Sequence, residues 1–235
     1  MSSQEATKKK KSLWQEIVEW ILCIICAFFL ALGIKYFLFT PTLVMQNSMT
    51  PTILNGERVF INRLVRTFNW NINRGDIVTL EAPIVDNKEH NLALISGDTV
   101  EALYYNIENP FESFLYYVVE LNKISYIKRV VAIPGDHVVI EDGNLYINDE
   151  LQDEEYIPKG VRTEILKTGT HIKNDFIVPE GYYFCIGDNR ENSSDCRVFG
   201  CIPKEKIEGR VVARIWPLTK FGKVGPASNI EEYEK

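Results

Sequence analysis

Histidine is scarce in this chain, with three in 235 residues. His90, His137 and His171 stand apart, and none belongs to a His-Glu-x-x-His or comparable ligand spacing. That argues against a metal site, and no motif calls for a cofactor. A Ser-His-Asp triad needs no adjacency in sequence, yet each histidine is isolated, as surface or satisfied histidines are. Positive charge is also short: a net charge of −6 argues against a general nucleic-acid binder, which carries a basic face. No repeat period or low-complexity run is present. With 14 Gly, 10 Pro and 46% hydrophobic residues, collagen-like and wholly disordered classes are excluded, and one large domain with an appendage fits. Five cysteines complete the short list. Cys23 and Cys26 fall inside an apolar run and read as packing or lipid-facing residues rather than a redox or zinc pair. Cys185, Cys196 and Cys201 permit a disulfide, but three leave at least one thiol unpaired within the chain.

What the chain does have is one long apolar run. Residues 20–34 are apolar without a break, and 17–39 are interrupted only by Glu19 and Lys35. A helix of about 20 residues crosses a bilayer core of roughly 30 Å. A cleavable signal peptide has a shorter apolar core followed by a small-x-small site, and no such site follows here. The expectation is an uncleaved transmembrane anchor over 16–39. Lys8, Lys9, Lys10 and Lys11 precede it, and after Lys35 the next basic residue is Arg58. The positive-inside rule then places residues 1–15 in the cytoplasm and a domain over 40–222 outside, followed by a polar tail, 223–235.

Beyond residue 57 the text is strand-like. Segments 58–62, 76–80, 126–133, 182–186 and 210–215 are rich in Val, Ile, Phe and Tyr and are bounded by turn formers. Residues 137–147 read as a hairpin, because Asp142-Gly143 supplies the positive φ angles of a two-residue turn. The expected class is all-β. One segment departs from it: Phe111, Phe114, Leu115, Val118 and Val119 recur at helical spacing, with Asn109 as N-cap and Pro110 at the first helical position. Two roles fit this helix, packing on the β core or resting as an aromatic element on a membrane or partner.

Lys128 is the most informative single residue. Alternation along 126–133 puts Tyr126, Lys128, Val130 and Ala132 on one face and Ile127, Arg129, Val131 and Ile133 on the other. Both faces are largely apolar and each carries one cation. A strand lysine ordinarily snorkels to water. Held among apolar neighbours, it loses solvation, its pKa falls, and the neutral amine becomes a general base. Ser48, about nine residues beyond the apolar run, is a candidate nucleophile in an uncharged stretch, 36–55. The plainer reading of Ser48 is a turn or cap residue.

Four blocks, in order, resemble those of bacterial type I signal peptidases: Ser48-Met49-Thr50-Pro51-Thr52, Gly56-Glu57-Arg58-Val59, Tyr126 through the Pro134-Gly135-Asp136 turn, and Gly187-Asp188-Asn189-Arg190 through Asp195-Cys196-Arg197. The resemblance implies an all-β peptidase domain behind one N-terminal transmembrane helix, acting on secretory preproteins at a lipid bilayer, without nucleic acid and without cofactor. It implies Ser48 as nucleophile and Lys128 as general base, with Ser193 orienting the lysine. It also makes Asp195 and Arg197 a supporting ion pair, and Pro41, Met49, Ile53, Tyr126 and Ile127 the walls of small apolar substrate pockets. Gln46 and Asn47 stand where the family usually has Ser or Thr followed by Gly, so the Gln46 amide is the candidate second oxyanion donor. Cys196 replaces a usual serine and Glu57 a usual aspartate. Residues 84–124, which contain the helical segment, resemble an insertion. Two competing readings follow from the departures: a catalytically degenerate membrane-anchored scaffold with a peptidase fold, and a signal peptidase of narrow specificity. A self-cleaving repressor-type protease would carry a DNA-binding domain where this chain has its anchor.

Overall fold

The computed structural model describes residues 12–83, 101–165 and 173–224. His90, His171, the basic N-terminal run, most of the polar tail and part of the 84–124 insertion lie outside them.

The apolar run forms helix α1, Leu13–Phe37. Ser12 caps it by accepting from Trp14 N–H, and Gln15 returns a bond to the Ser12 N–H, which completes a capping box. No residue of α1 is buried, and Trp14, Trp20, Ile24, Phe28 and Leu30 are exposed around its whole circumference. A helix this apolar, with protein contacts only at its C-terminal end, lacks the polar face that water requires. It is consistent with a membrane anchor. It ends two residues before the expected boundary, because Phe39 already pairs with Asn62 as the first residue of a strand.

The strands are β1 (Phe39–Leu43), β2 (Arg58–Asn62), β3 (Ile77–Glu81), β4 (Ser125–Ala132), β5 (His137–Glu141), β6 (Asn144–Ile147), β7 (Glu150–Leu151), β8 (Asp175–Ile177), β9 (Tyr182–Ile186), β10 (Ile202–Pro203) and β11 (Ile207–Trp216). They make a seven-stranded sheet in the order β1-β2-β11-β3-β4-β9-β10 and a four-stranded sheet in the order β7-β6-β5-β8. Neighbouring strands run antiparallel throughout. The all-β expectation holds, with one N-terminal apolar helix. Arg58–Asn62 and Tyr182–Ile186 form as expected, and the hairpin turns at Asp142 (φ 53°) and Gly143 (φ 83°), the double positive φ of a type I′ turn.

Two apolar clusters hold the sheets. The larger joins Val78, Leu80, Val130, Phe184 and Ile186 of the large sheet to Val138, Ile140, Leu145 and Phe176 of the small one. The smaller gathers Val44, Met49, Ile53, Val59, Ile61, Ile77 and Val211. Fully burying each such side chain is worth roughly 1.5–3 kcal/mol. The smaller cluster matters most for chemistry, because Met49 and Ile53 pin down the loop that carries Ser48.

The helical segment forms as α3, Pro110–Phe114, with Asn109 accepting from the Phe111 and Glu112 N–H groups. It then widens into a π-helical turn, Leu115–Val119, which stops at Glu120 in the left-handed region (φ 64°). Neither piece holds a fully buried residue, but 115–119 are all half-buried and Tyr117 Oη accepts from Lys206 Nζ at 3.3 Å, so the segment lies against the sheet without entering its core. Its far end also meets the end of α1, where Lys35 Nζ donates to Val119 O at 3.1 Å.

Candidate active site

Ser48 lies in the loop between β1 and β2. Its carbonyl accepts from Asn189 N–H at 3.0 Å, and Asn189 Nδ2 donates to Asn47 O at 3.1 Å. Met49 and Ile53, 1% and 0% exposed, anchor the loop from below. Lys128 comes from the middle of β4, a strand covered on both faces, and is 1% exposed. Its Nζ lies 2.8 Å from Ser48 Oγ. The sequence left Lys128 to choose between snorkelling and burial; the structure buries it against the candidate nucleophile.

Burial pulls the Lys128 pKa down, to about 8, against the Asp195 carboxylate, which raises it. The Tyr126 ring, 5.2 Å from Nζ, also favours the cation. Burial wins because an ammonium that loses water must recover several kcal/mol from its neighbours. At pH 7 a group of pKa 8 is about one-tenth neutral, against about one part in three thousand for a free lysine. A neutral amine at this distance can accept the serine proton; which atom carries the hydrogen is a matter of protonation, and the heavy-atom geometry serves both.

The remaining expected residues fall into three groups. Ser193 is buried beside the pair: a Cβ on Gly187 would lie 2.2 Å from Ser193 Oγ and 2.4 Å from Ser48 O. Its hydroxyl has no hydrogen-bond partner among the described residues, an unusual state for a buried polar atom. Asp195 and Arg197 form a bidentate pair, with Nε to Oδ1 and Nη2 to Oδ2 both 2.9 Å, at 0% and 1% exposure. This is a buried brace and not a surface bridge. Asp195 also accepts from Gly187 N–H at 3.0 Å, and Arg197 donates to Arg190 O at 2.9 Å. The brace therefore fixes the turn beneath Lys128. Cys185, Cys196 and Cys201 are buried free thiols. Burial raises the Cys185 and Cys201 pKa values, which keeps those thiols neutral.

A groove of about 420 Å³ opens at Ser48. Met49 and Ile127 line it as expected, together with Val44, Ile61, Thr79 and Ser125, which the sequence did not single out. Gln46 is exposed on its rim. Ile53 is buried beneath, Tyr126 stands beside Lys128, and Pro41 is exposed on β1 away from the groove lining. A larger cleft of about 600 Å³ lies behind Arg129 and Tyr156, on the side of β4 away from Lys128. It holds neither Ser48 nor Lys128.

Sequence reasoning also missed the supports of the nucleophile loop. Arg129 pairs with Asp188 through Nε–Oδ1 at 2.8 Å and Nη2–Oδ2 at 2.7 Å, and its Nη2 reaches Thr52 Oγ1 at 3.4 Å. Arg214 pairs with Glu57 at 2.8 Å and donates to Thr52 O at 2.7 Å. The cation opposite Lys128 on β4 and the Glu57 substitution were the available signals. His137, the one histidine among the described residues, bonds Asp175 at 2.7 Å on the small sheet and has no part in this arrangement.

Comparison with known proteins gives the family. The family model for "Signal peptidase, peptidase S26" matches residues 17–216. The chain belongs to the signal peptidase S26 family. Signal peptidase I of Bacillus licheniformis is 34% identical over 227 residues, covering 95% of this chain and 99% of that protein. Signal peptidase I T of Bacillus subtilis (strain 168) is 35% identical over 224 residues, 94% of this chain and 95% of its own. A signal peptidase I crystal structure from Enterococcus faecalis V583 is 25% identical, covering 60% of this chain and 96% of that one with a TM-score of 0.37. As a member of this family the chain is a serine peptidase, a hydrolase, and the coarse class of its substrates is preproteins that carry signal peptides.

Proposed function

We propose that this signal peptidase cuts by a Ser48/Lys128 dyad through an acyl-enzyme. The observation that carries the reading is the 2.8 Å contact between Lys128 Nζ and Ser48 Oγ, both side chains being buried. Neutral Lys128 takes the Ser48 proton as Oγ attacks the scissile carbonyl. The tetrahedral oxyanion collapses with loss of the peptide C–N bond, and Lys128 returns the proton to the leaving amine. Water, deprotonated by the same lysine, then hydrolyses the ester. General-base action of this kind contributes about 10²–10⁴-fold.

The Ser48 N–H supplies one oxyanion donor and the Gln46 amide, on the groove rim, a second. Each such donor is worth about 3 kcal/mol in the transition state. Ser193 Oγ, buried and unpartnered next to Ser48, orients the lysine amine once it loses its third proton. The apolar part of the groove, at Met49, Val44 and Ile127 beside Ser48, favours small apolar residues before the cut. Helix α1 anchors the chain in the cell membrane with the N-terminus in the cytoplasm and the catalytic domain outside, as the lysines before it direct.

Cleavage of a secretory preprotein by the full-length protein in detergent tests the dyad. Ser48→Ala and Lys128→Ala should each abolish cleavage while leaving thermal unfolding in place. Cleavage that survives Lys128→Ala removes the lysine from the role of base.

A further inference from the structure

Helix C-termini leave four carbonyls without intrahelical donors, and an exposed linker normally gives them to water. Here the β domain takes them. Lys35 O accepts from Thr40 Oγ1 at 2.9 Å, Tyr36 O from Arg66 Nη2 at 2.6 Å, Phe37 O from Thr67 Oγ1 at 2.7 Å and Leu38 O from Arg63 N–H at 2.8 Å. Arg66 and Thr67 come from the short helix α2, Leu64–Thr67, which follows β2. The Arg66 guanidinium also lies 4.3 Å over the Tyr36 ring.

A second attachment reaches the helix from its other side. Lys35 bonds Val119 O and pairs with Glu120 at 2.7 Å, while Glu120 pairs in turn with Arg63 at 2.6 Å. Arg63 is 3% exposed. Glu120 therefore ties the end of α1, the end of the 109–120 segment and the sheet together, and Lys35, Arg63 and Glu120 line the same groove as Ser48. No flexible residues separate α1 from β1, since Leu38 caps one and Phe39 begins the other.

We propose that this rigid joint is a measuring device that holds Ser48 at a fixed height above the bilayer, so that the enzyme selects the bond lying at a set distance from the end of the substrate's apolar segment. Glu120 and Arg66 are its positioning residues. The inference rests on the peptidase reading above and names the residues of this chain that hold its site in place. A hinged anchor would let the groove rise and fall and would accept several spacings; a clamped one accepts few.

The test uses the full chain in vesicles of phosphatidylethanolamine and phosphatidylglycerol, with preproteins whose apolar segment and cleavage site are separated by zero, two or four added residues. Four extended residues add about 13 Å of reach. The parent should cut the unextended substrate at least tenfold faster than the longest one. Glu120→Gln and Arg66→Met, which loosen opposite sides of the joint, should each reduce that discrimination at least threefold. A merely structural defect lowers all three rates together and leaves the ratio alone. Discrimination unchanged within twofold in both variants, or a parent that cuts all spacings equally, overturns the proposal. A parent that cuts no substrate at any spacing counts against the peptidase reading itself.

Discussion

Gly187→Ala should disable the enzyme without unfolding it. Gly187 follows the last residue of β9, and its φ lies outside the left-handed region, so its backbone angles do not demand glycine. Crowding does. An added Cβ would meet Ser48 O at 2.4 Å, Ser193 Oγ at 2.2 Å and Ser193 Cβ at 2.6 Å. The Ser193 hydroxyl can rotate away. The Ser48 carbonyl is backbone, tied by the Asn189 N–H at 3.0 Å, and must retreat with its whole residue. Restoring ordinary contact requires a shift of about 1 Å, and a misplacement of that size at a reacting group costs about 10²-fold. The stability change is smaller: reduced freedom of the unfolded chain gives back about 0.4–1 kcal/mol, and overpacking costs about 1–3 kcal/mol. The assay is kcat/KM on a fluorogenic peptide with alanine at the first and third positions before the cut, beside a thermal melt. A value within threefold of the parent would refute the proposed proximity of Gly187, Ser193 and Ser48.

Three further outcomes follow from the charges. With Lys128 at about 8, kcat/KM should rise with pH and level off above that value, falling about 50-fold from pH 8 to pH 6 as the neutral amine is lost; a profile flat from pH 6 to 9 would contradict a lysine base. Arg197→Met leaves Asp195 buried without its countercharge, a loss of about 3–5 kcal/mol, and should lower Tm by roughly 10 °C; a Tm within 3 °C of the parent would show that the brace carries no load. His137, whose pKa is raised by its bond to Asp175, stabilises the fold in its charged form, fully below about 6.5 and progressively less as pH climbs through its higher folded value. The Tm advantage of the parent over His137→Gln should therefore shrink as pH rises from about 6 to above 8, and an advantage that grows over that interval would reverse the sign of the argument.

The readable parts of this molecule are those set by neighbours in sequence. β2, β9 and the Asp142-Gly143 hairpin follow from alternation and turn chemistry acting over a few residues. Ser48 and Lys128 could be picked out because each sits in a short stretch whose residues are odd for their surroundings: a serine in an uncharged segment and a lysine in an apolar strand. What could not be read is set by the packing of distant segments. Alternation gave β4 two apolar faces, and only the approach of β3, β9 and the Ser48 loop decides that Lys128 is enclosed. Asp195 and Arg197 stand two apart, and only the resemblance, not their spacing, distinguishes a supporting pair from a surface one until α4 (Cys196–Phe199) buries them. Thr79 and Ser125 reach the groove because β3 and β4 pair there, a fact no single strand encodes.

The 109–120 segment sharpens the distinction. Its helical spacing and its Asn109 cap were legible, but its π-helical turn was not, nor was Glu120's place between Lys35 and Arg63. Both partners belong to other elements, and an exposed glutamate after an apolar helix looks the same whether it is solvated or clamped. Partial burial alone would raise the Glu120 pKa, and it is the two cations that hold it below the ordinary carboxylate value. Local composition thus singles out Ser48 and Lys128 as candidates and the ordered blocks pair them, whereas the joint that links α1, the 109–120 segment and the sheet appears only when the three are brought together in three dimensions.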